Sequence, residues 1–378
     1  MRKIELSVCY MVKNEAANLP LSLKSIKDAA DEIIVVDTGS TDATKKIAAS
    51  FGARLFDFPW CNDFSAPRNY AIEQAKGEWI LFLDADEYFP EPLNRRQLLE
   101  YLKTLPDKDV VLLLLRNIEP QGDRESWNTD WCLRIFRNVP ELRYQGRIHE
   151  NIARQDRQLQ VAYAPEKFCL LHTGYAGELS KEKSRRNLKL LEAAIAEEGW
   201  QPGDDYYLMD CYFGLQEYEK AMQHAKNFLA GDCFAYGGDS HVYHMILECM
   251  RALKMADAEM LQWAEEAGRK HPTLPEFYAE RGMILCGLGR LPEARQQLIE
   301  ALLHYEQHTA DKKQESYFSP LVAAKTAARL GEIAMHYDDA EEAAIWFRQA
   351  MAYCDTDENV TAKVKKFLEW AEDKGIMP

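Results

Sequence analysis

Residues 79–87 read WILFLDADE, an apolar run that ends abruptly in two aspartates one residue apart, followed by Glu87. A short apolar run of this kind is read as a buried strand of a parallel sheet, and such sheets bind ligands just beyond the carboxyl ends of their strands. Side chains two apart on an extended segment point the same way. Asp84 and Asp86 are therefore expected to face one hard cation, with substrate phosphates completing its oxygen shell.

Working back from this run, strand and helix signals alternate. Residues 6–12 and 32–36 read as strands, and residues 16–30 between them have helical spacing. A second helix over 41–51 is closed by Gly52, a third strand covers 54–58, and a third helix over 64–75 stops at Gly77. Right-handed crossovers then require a mostly parallel, doubly wound sheet with helices on both faces.

Beyond Ala176 the pattern is helical throughout, which divides the chain into an α/β domain over 1–176 and an all-α domain over 177–378. Residues 210–225 (DCYFGLQEYEKAMQHA) match 284–298 (ILCGLGRLPEARQQL), and 332–347 (EIAMHYDDAEEAAIWF) echo both. Ala221 and Ala294 lie 73 residues apart, about twice the 34-residue period of tetratricopeptide helix pairs. Four degenerate repeats are expected, with residues 308–320 as an inserted loop. Each helix pair leaves an apolar face that only a neighbour can cover.

The 378 residues carry a formal charge of −15, which argues against a nucleic-acid partner held by overall electrostatics. Nine scattered cysteines, an odd number without a CxxC pair, read as reduced thiols in a cytoplasm. No run of about 18 apolar residues exists, so no transmembrane segment is expected. An exposed repeat edge is compatible with a homodimer.

Strand 1 runs into Lys13-Asn14-Glu15 instead of a glycine-rich dinucleotide turn. Strand 2 ends at Asp37, and Ser40 or Thr41 is expected to cap the next helix while Asp42 favours its start. Arg68 falls in the first turns of the third helix, where a cation opposes the dipole, so a ligand or a surface position could equally account for it. Trp127 and Trp131 read as a stacking wall or as core. The run KEKSRRNLK (181–189) reads first as a solvated helix face.

MVKNEAANLPLSLKSI, DEIIVVDTGSTDAT, FPWCNDFSAPRNYAIEQAKGEWILFLDADE and RYQGRIHE together resemble the family 2 glycosyltransferases, nucleotide-sugar enzymes of the GT-A fold, over about residues 4–175. Within that family the chain is similar to the branch with C-terminal tetratricopeptide repeats, which includes peptide S-glycosyltransferases. The resemblance implies an inverting transfer from a UDP-sugar to a peptide, protein or cell-envelope glycan acceptor, assisted by a divalent Mn or Mg. It implies that Asp37 reads the nucleobase, that Lys13 and Glu15 lie along the nucleoside, and that Val12, Asn14 and Ala85 belong to the same nucleotide-sugar site. Arg68 would contact base or diphosphate, Asp84 ribose or metal, and Asp86 the metal, with His172 as a further metal ligand. The acid that takes the acceptor proton is expected at Glu150, with Asp130 as second choice. Two readings compete: a repeat scaffold whose α/β half is vestigial, and a sugar-1-phosphate nucleotidyltransferase, for which the glycine-rich basic loop after strand 1 is missing.

Overall fold

The structure, a computed structural model, describes residues 4–118, 125–154, 156–173, 177–231, 239–311 and 318–376, side chains at 125–130, 177–180 and 308–311 excepted. In chain order the first elements are β1 (Leu6–Val12), α1 (Leu19–Ile26), β2 (Glu32–Asp37), α2 (Thr44–Ser50), β3 (Arg54–Asp57), α3 (Ser65–Gln74) and β4 (Trp79–Leu83). They continue through β5 (Glu87–Tyr88), α4 (Arg95–Lys103), β6 (Val110–Ile118), β7 (Glu125–Arg137), β8 (Leu142–Gln145), β9 (Asn151–Arg154), β10 (Val161–Tyr163), β11 (Leu170–His172) and α5 (Gly177–Glu198).

The side-chain alternation of the central strands builds two cores. Val8, Tyr10 and Val12 of β1 and Trp79, Leu81 and Leu83 of β4 join Leu19, Leu23 and Ile26 of α1 and Leu98 and Leu102 of α4 on one face. On the other, Cys9, Ile80 and Phe82 meet Ala71 and Ile72 of α3 and the β8–β9 ribbon through Leu142, Tyr144 and Ile152. Burying both faces is what makes these strands apolar throughout.

The main sheet runs β3-β2-β1-β4-β7-β6-β11-β5, with β10 also paired to β6. The first four strands are mutually parallel. β7 is antiparallel to both β4 and β6. Only six residues separate β6 from β7, too few for the crossover that a parallel pair needs. β11 then lies parallel to β6, and two-residue β5 pairs antiparallel with it, matching His172 with Glu87.

The chain divides into two compact units, Met1–Gly199 and Trp200–Pro378. The division falls after α5 instead of at 176/177, so the first helix beyond the sheet belongs to the α/β unit.

The second unit contains α6 (Asp204–Gly214), α7 (Tyr218–Ala230), α8 (Ser240–Ala252), α9 (Asp257–Lys270), α10 (Pro275–Gly287), α11 (Leu291–Asp311), α12 (Pro320–His336), α13 (Ala340–Tyr353) and α14 (Glu358–Asp373). Four of its turns share one local structure. Gln216, Lys254, Gly289 and Asp338, each two residues past a helix, all have positive φ. In each, the following amide donates to a carbonyl five residues back: Glu217 to Tyr212, Met255 to Met250, Arg290 to Leu285 and Asp339 to Ala334. These are Schellman turns, which satisfy the last carbonyls of a helix. Four helix pairs, α6/α7, α8/α9, α10/α11 and α12/α13, thus follow one plan, as the repeats in the sequence predict. Residues 312–317 of the expected inserted loop lie outside the described residues, and α11 already covers its first residues.

Candidate active site

The carboxyl ends of β1, β2 and β4 are shaped by a set of hydrogen bonds between loops. Asp37 closes β2 and accepts from the amides of Gly39 (3.0 Å) and Ser40 (2.9 Å). Gly39 has φ +109°, which glycine adopts without steric cost. Asn14, itself at φ 56°, ties the loop after β1 to this one: Ser40 Oγ accepts from its amide at 2.8 Å, and its Oδ1 accepts from the Thr41 amide at 2.8 Å. Because Ser40 and Thr41 are occupied there, the helix starts later than the sequence suggests. Asp42 accepts from Thr44 N at 2.9 Å and from Ala16 N at 3.1 Å, the helix-start role expected of it. Asp63 likewise accepts from Ala66 N at 3.0 Å at the start of α3.

Asp84-Ala85-Asp86 does not continue β4 as an extended segment. The Glu87 amide donates to the Asp84 carbonyl at 3.1 Å, a tight turn, because the chain must reverse into β5 to reach β11. The two aspartates consequently turn to different partners. Asp84 lies between two arginines, with Oδ1 2.9 Å from Arg68 Nη2 and Oδ2 3.3 Å from Arg134 Nη2. Burial works against its charged form, but Arg68 and Arg134 outweigh it and hold the carboxyl well below the usual range. Asp86 Oδ2 instead lies 3.2 Å from His172 Nε2, and His172 Nδ1 is 2.7 Å from Asn117 Oδ1. The pairing of β5 with β11 is what joins residues 86 positions apart.

Arg68 occupies the inner face of α3, stacked over Phe82 (4.8 Å) and Tyr144 (5.3 Å). Its Nε donates to Glu150 Oε1 at 2.7 Å while Nη2 holds Asp84. One guanidinium thereby fixes the expected base relative to the strand-end carboxylate. Arg134, on β7, forms a two-pronged pair with Glu87, which is 1% exposed.

These groups open onto a cavity of about 420 Å³. Of the residues expected in the site, Val12, Lys13, Glu15, Arg68, Asp84, Ala85, Asp86, Glu150 and His172 line it. Asn14 and Asp37 are absent from the lining: Asn14 stitches the loops, and Asp37 is buried, whereas its neighbour in sequence, Thr38, does line it. Asp37 Oδ2 is buried with no hydrogen-bond partner among the described residues, the kind of unmet acceptor that a ligand N–H or hydroxyl would satisfy. Asp130 sits opposite Leu115 in the sheet, and its side chain lies outside the described residues, as does that of Trp127. Trp131 packs edge-on against Tyr163 at 5.0 Å and does not line the cavity.

Sequence reasoning missed the Arg134–Glu87 pair, the Trp60–Phe64 aromatic pair at the cavity (4.8 Å between rings), and Lys183, Arg186 and Asn187 of α5. The last three belong to the charged run read as a solvated face. Helical spacing puts residues 183, 186 and 187 on one side of α5, but nothing local says what that side meets.

A mixed sheet with helices on both faces and a cavity at the carboxyl ends of its strands is the architecture of a GT-A domain. Residues 7–172 match the family model of glycosyl transferase family 2, and this part of the chain is a family 2 glycosyltransferase domain. A TPR repeat-containing protein of Synechococcus elongatus is 32% identical over 60% of this chain and 55% of its own length. The SPbeta prophage-derived glycosyltransferase SunS of Bacillus subtilis is 30% identical over 53% of this chain and 49% of its own. The chain thus spans about half the length of the curated relatives it matches. Among solved structures, glucosyl-3-phosphoglycerate synthase of Mycobacterium tuberculosis, determined with Mn2+, uridine diphosphate and phosphoglyceric acid, aligns over 32% of this chain and 44% of its own at 26% identity, with a TM-score of 0.26. Among the described residues, no helix is long and apolar enough to cross a membrane.

Proposed function

We propose that this chain is an inverting, metal-dependent glycosyltransferase that moves a sugar from a UDP-sugar to a peptide or protein acceptor recruited by the repeats. The observation that carries the reading is the single cavity into which Asp84, Asp86, His172, Arg68 and Glu150 open together. The donor set fits a divalent cation: Asp86 Oδ2 and His172 Nε2 converge at 3.2 Å, and Asn117 fixes the far side of the imidazole. Asp86 and His172 would hold Mn or Mg, supplying charge neutralisation at the diphosphate.

The chain's own residues do the rest. Asp37, through its unmet oxygen, and the loops around Lys13 and Glu15 would take the nucleoside. Glu150, fixed by Arg68, accepts the acceptor's proton as its nucleophilic atom attacks the anomeric carbon opposite the departing diphosphate. The bond from that carbon to the β-phosphate oxygen breaks, and its electron pair leaves with the nucleotide.

Calorimetric titration with UDP and then GDP, in Mn2+ and again in EDTA, tests the donor half. The expected result is UDP binding that needs the metal and is lost in Asp86→Asn. Binding of neither nucleotide in any condition would overturn the reading and favour a scaffold role.

A further inference from the structure

The cavity's charge balance points to α5. Four carboxylates line it, Glu15, Asp84, Asp86 and Glu150, together with four cationic side chains, Lys13, Arg68, Lys183 and Arg186. A diphosphate and a divalent cation of the proposed reaction cancel each other, so the loaded cavity balances only if both α5 cations are counted. Without them it would be left two charges negative, as the departing nucleotide gains further negative charge.

Arg68 is committed to Asp84 and Glu150. Lys183 and Arg186 differ: no carboxylate lies within ion-pair distance of either among the described residues, in a chain with 61 acidic residues against 46 lysines and arginines. Arg186 is positioned by stacking 5.1 Å from Phe64, which itself packs on Trp60, and by contact with Asn187 Oδ1 at 3.1 Å. An arginine held by a ring and an amide, with no carboxylate hydrogen-bonded to it, has its N–H donors available for an incoming phosphate. The His244, Glu248 and Glu280 cluster of the second unit offers no comparable site, since Arg251 already pairs with both of its carboxylates.

We propose that Lys183 and Arg186 form a diphosphate clamp: they bind the donor's phosphate oxygens and stabilise the nucleoside diphosphate as it departs with the electron pair of the broken glycosidic bond. The clamp rests on the donor reading above. Its stabilisation grows as charge develops, which is the condition for acting on rate as well as on binding.

The test uses the full chain with Mn2+, titrated with UDP and with uridine, for wild type, Lys183→Gln, Arg186→Gln and the double variant. Each single change is expected to raise the UDP Kd by about five- to tenfold, and the pair by about thirtyfold or more, with uridine affinity unmoved. Lys183→Arg should stay within about threefold of wild type, because charge is what the clamp needs at that position. If the double variant binds UDP as wild type does, the clamp falls while the donor reading stands. If UDP and uridine weaken together, α5 merely packs the site and the clamp also falls. Wild-type protein that binds no UDP overturns the donor reading, and the clamp with it.

Discussion

At the strand ends of the first unit, buried charge is matched residue by residue: Arg68 joins Asp84 to Glu150, and Arg134 joins Asp84 to Glu87. Between the repeat helices the buried positions are mostly apolar and many of them are alanines, with Ala221, Ala225, Ala264, Ala294, Ala323, Ala327, Ala343 and Ala350 all fully buried. The first arrangement is sensitive to the loss of one charge, because a buried partner left unpaired is costly. The second is sensitive to added volume, because closely packed helices have no room for it. Chemistry is concentrated where charges are paired, and architecture where apolar side chains pack closely.

The largest effect should come from Glu150→Gln, which removes the proton acceptor. Transfer is expected to slow by about 10²- to 10⁴-fold with metal-dependent UDP binding kept; a rate close to wild type would move the base elsewhere, with Asp130 next to test. Next in size, Arg134→Gln should cost the first unit about 3–5 kcal/mol in urea unfolding, since it strands Glu87 in the interior. The double change Arg134→Met with Glu87→Leu should cost clearly less, and an equal cost would mean that packing, not charge, is what Arg134 contributes.

In the repeats, Gly331→Ala should cost about 1–3 kcal/mol, because its new Cβ would lie 2.7 Å from the Phe347 ring. UDP affinity should not change, because the cavity is lined by residues of the first unit. The smallest effect is expected at the Schellman turns. Gly289 already has the residue the turn favours, whereas Lys254 and Asp338 adopt the left-handed region with a side chain. Lys254→Gly or Asp338→Gly should raise thermal stability by up to about 1 kcal/mol.

The alternating first unit and the repeats were legible because both are written in local periods, two along a strand and 3.6 along a helix. WILFLDADE located the strand end and the cavity, and RIHE located the carboxylate that meets Arg68. What escaped depended on distant pairing. The turn at Asp84 to Glu87 follows from the β5–β11 ladder, which pairs Glu87 with His172, far along the chain, so an extended Asp-x-Asp was the natural local reading. Arg134 and Glu87 looked like ordinary charges of a strand and a strand end until the sheet order set them side by side. The family resemblance put Asn14 in the nucleotide-sugar site, and its side chain is hydrogen-bonded to the neighbouring loop.

That α5 belongs to the first compact unit also fixes where this chain could be recombined with a relative. A chimaera joined at residue 199 would inherit the cavity lining whole. One joined at 176, where the strand pattern stops, would take Lys183, Arg186 and Asn187 from a foreign parent, so its donor affinity would be set by whichever helix the repeat array happened to bring.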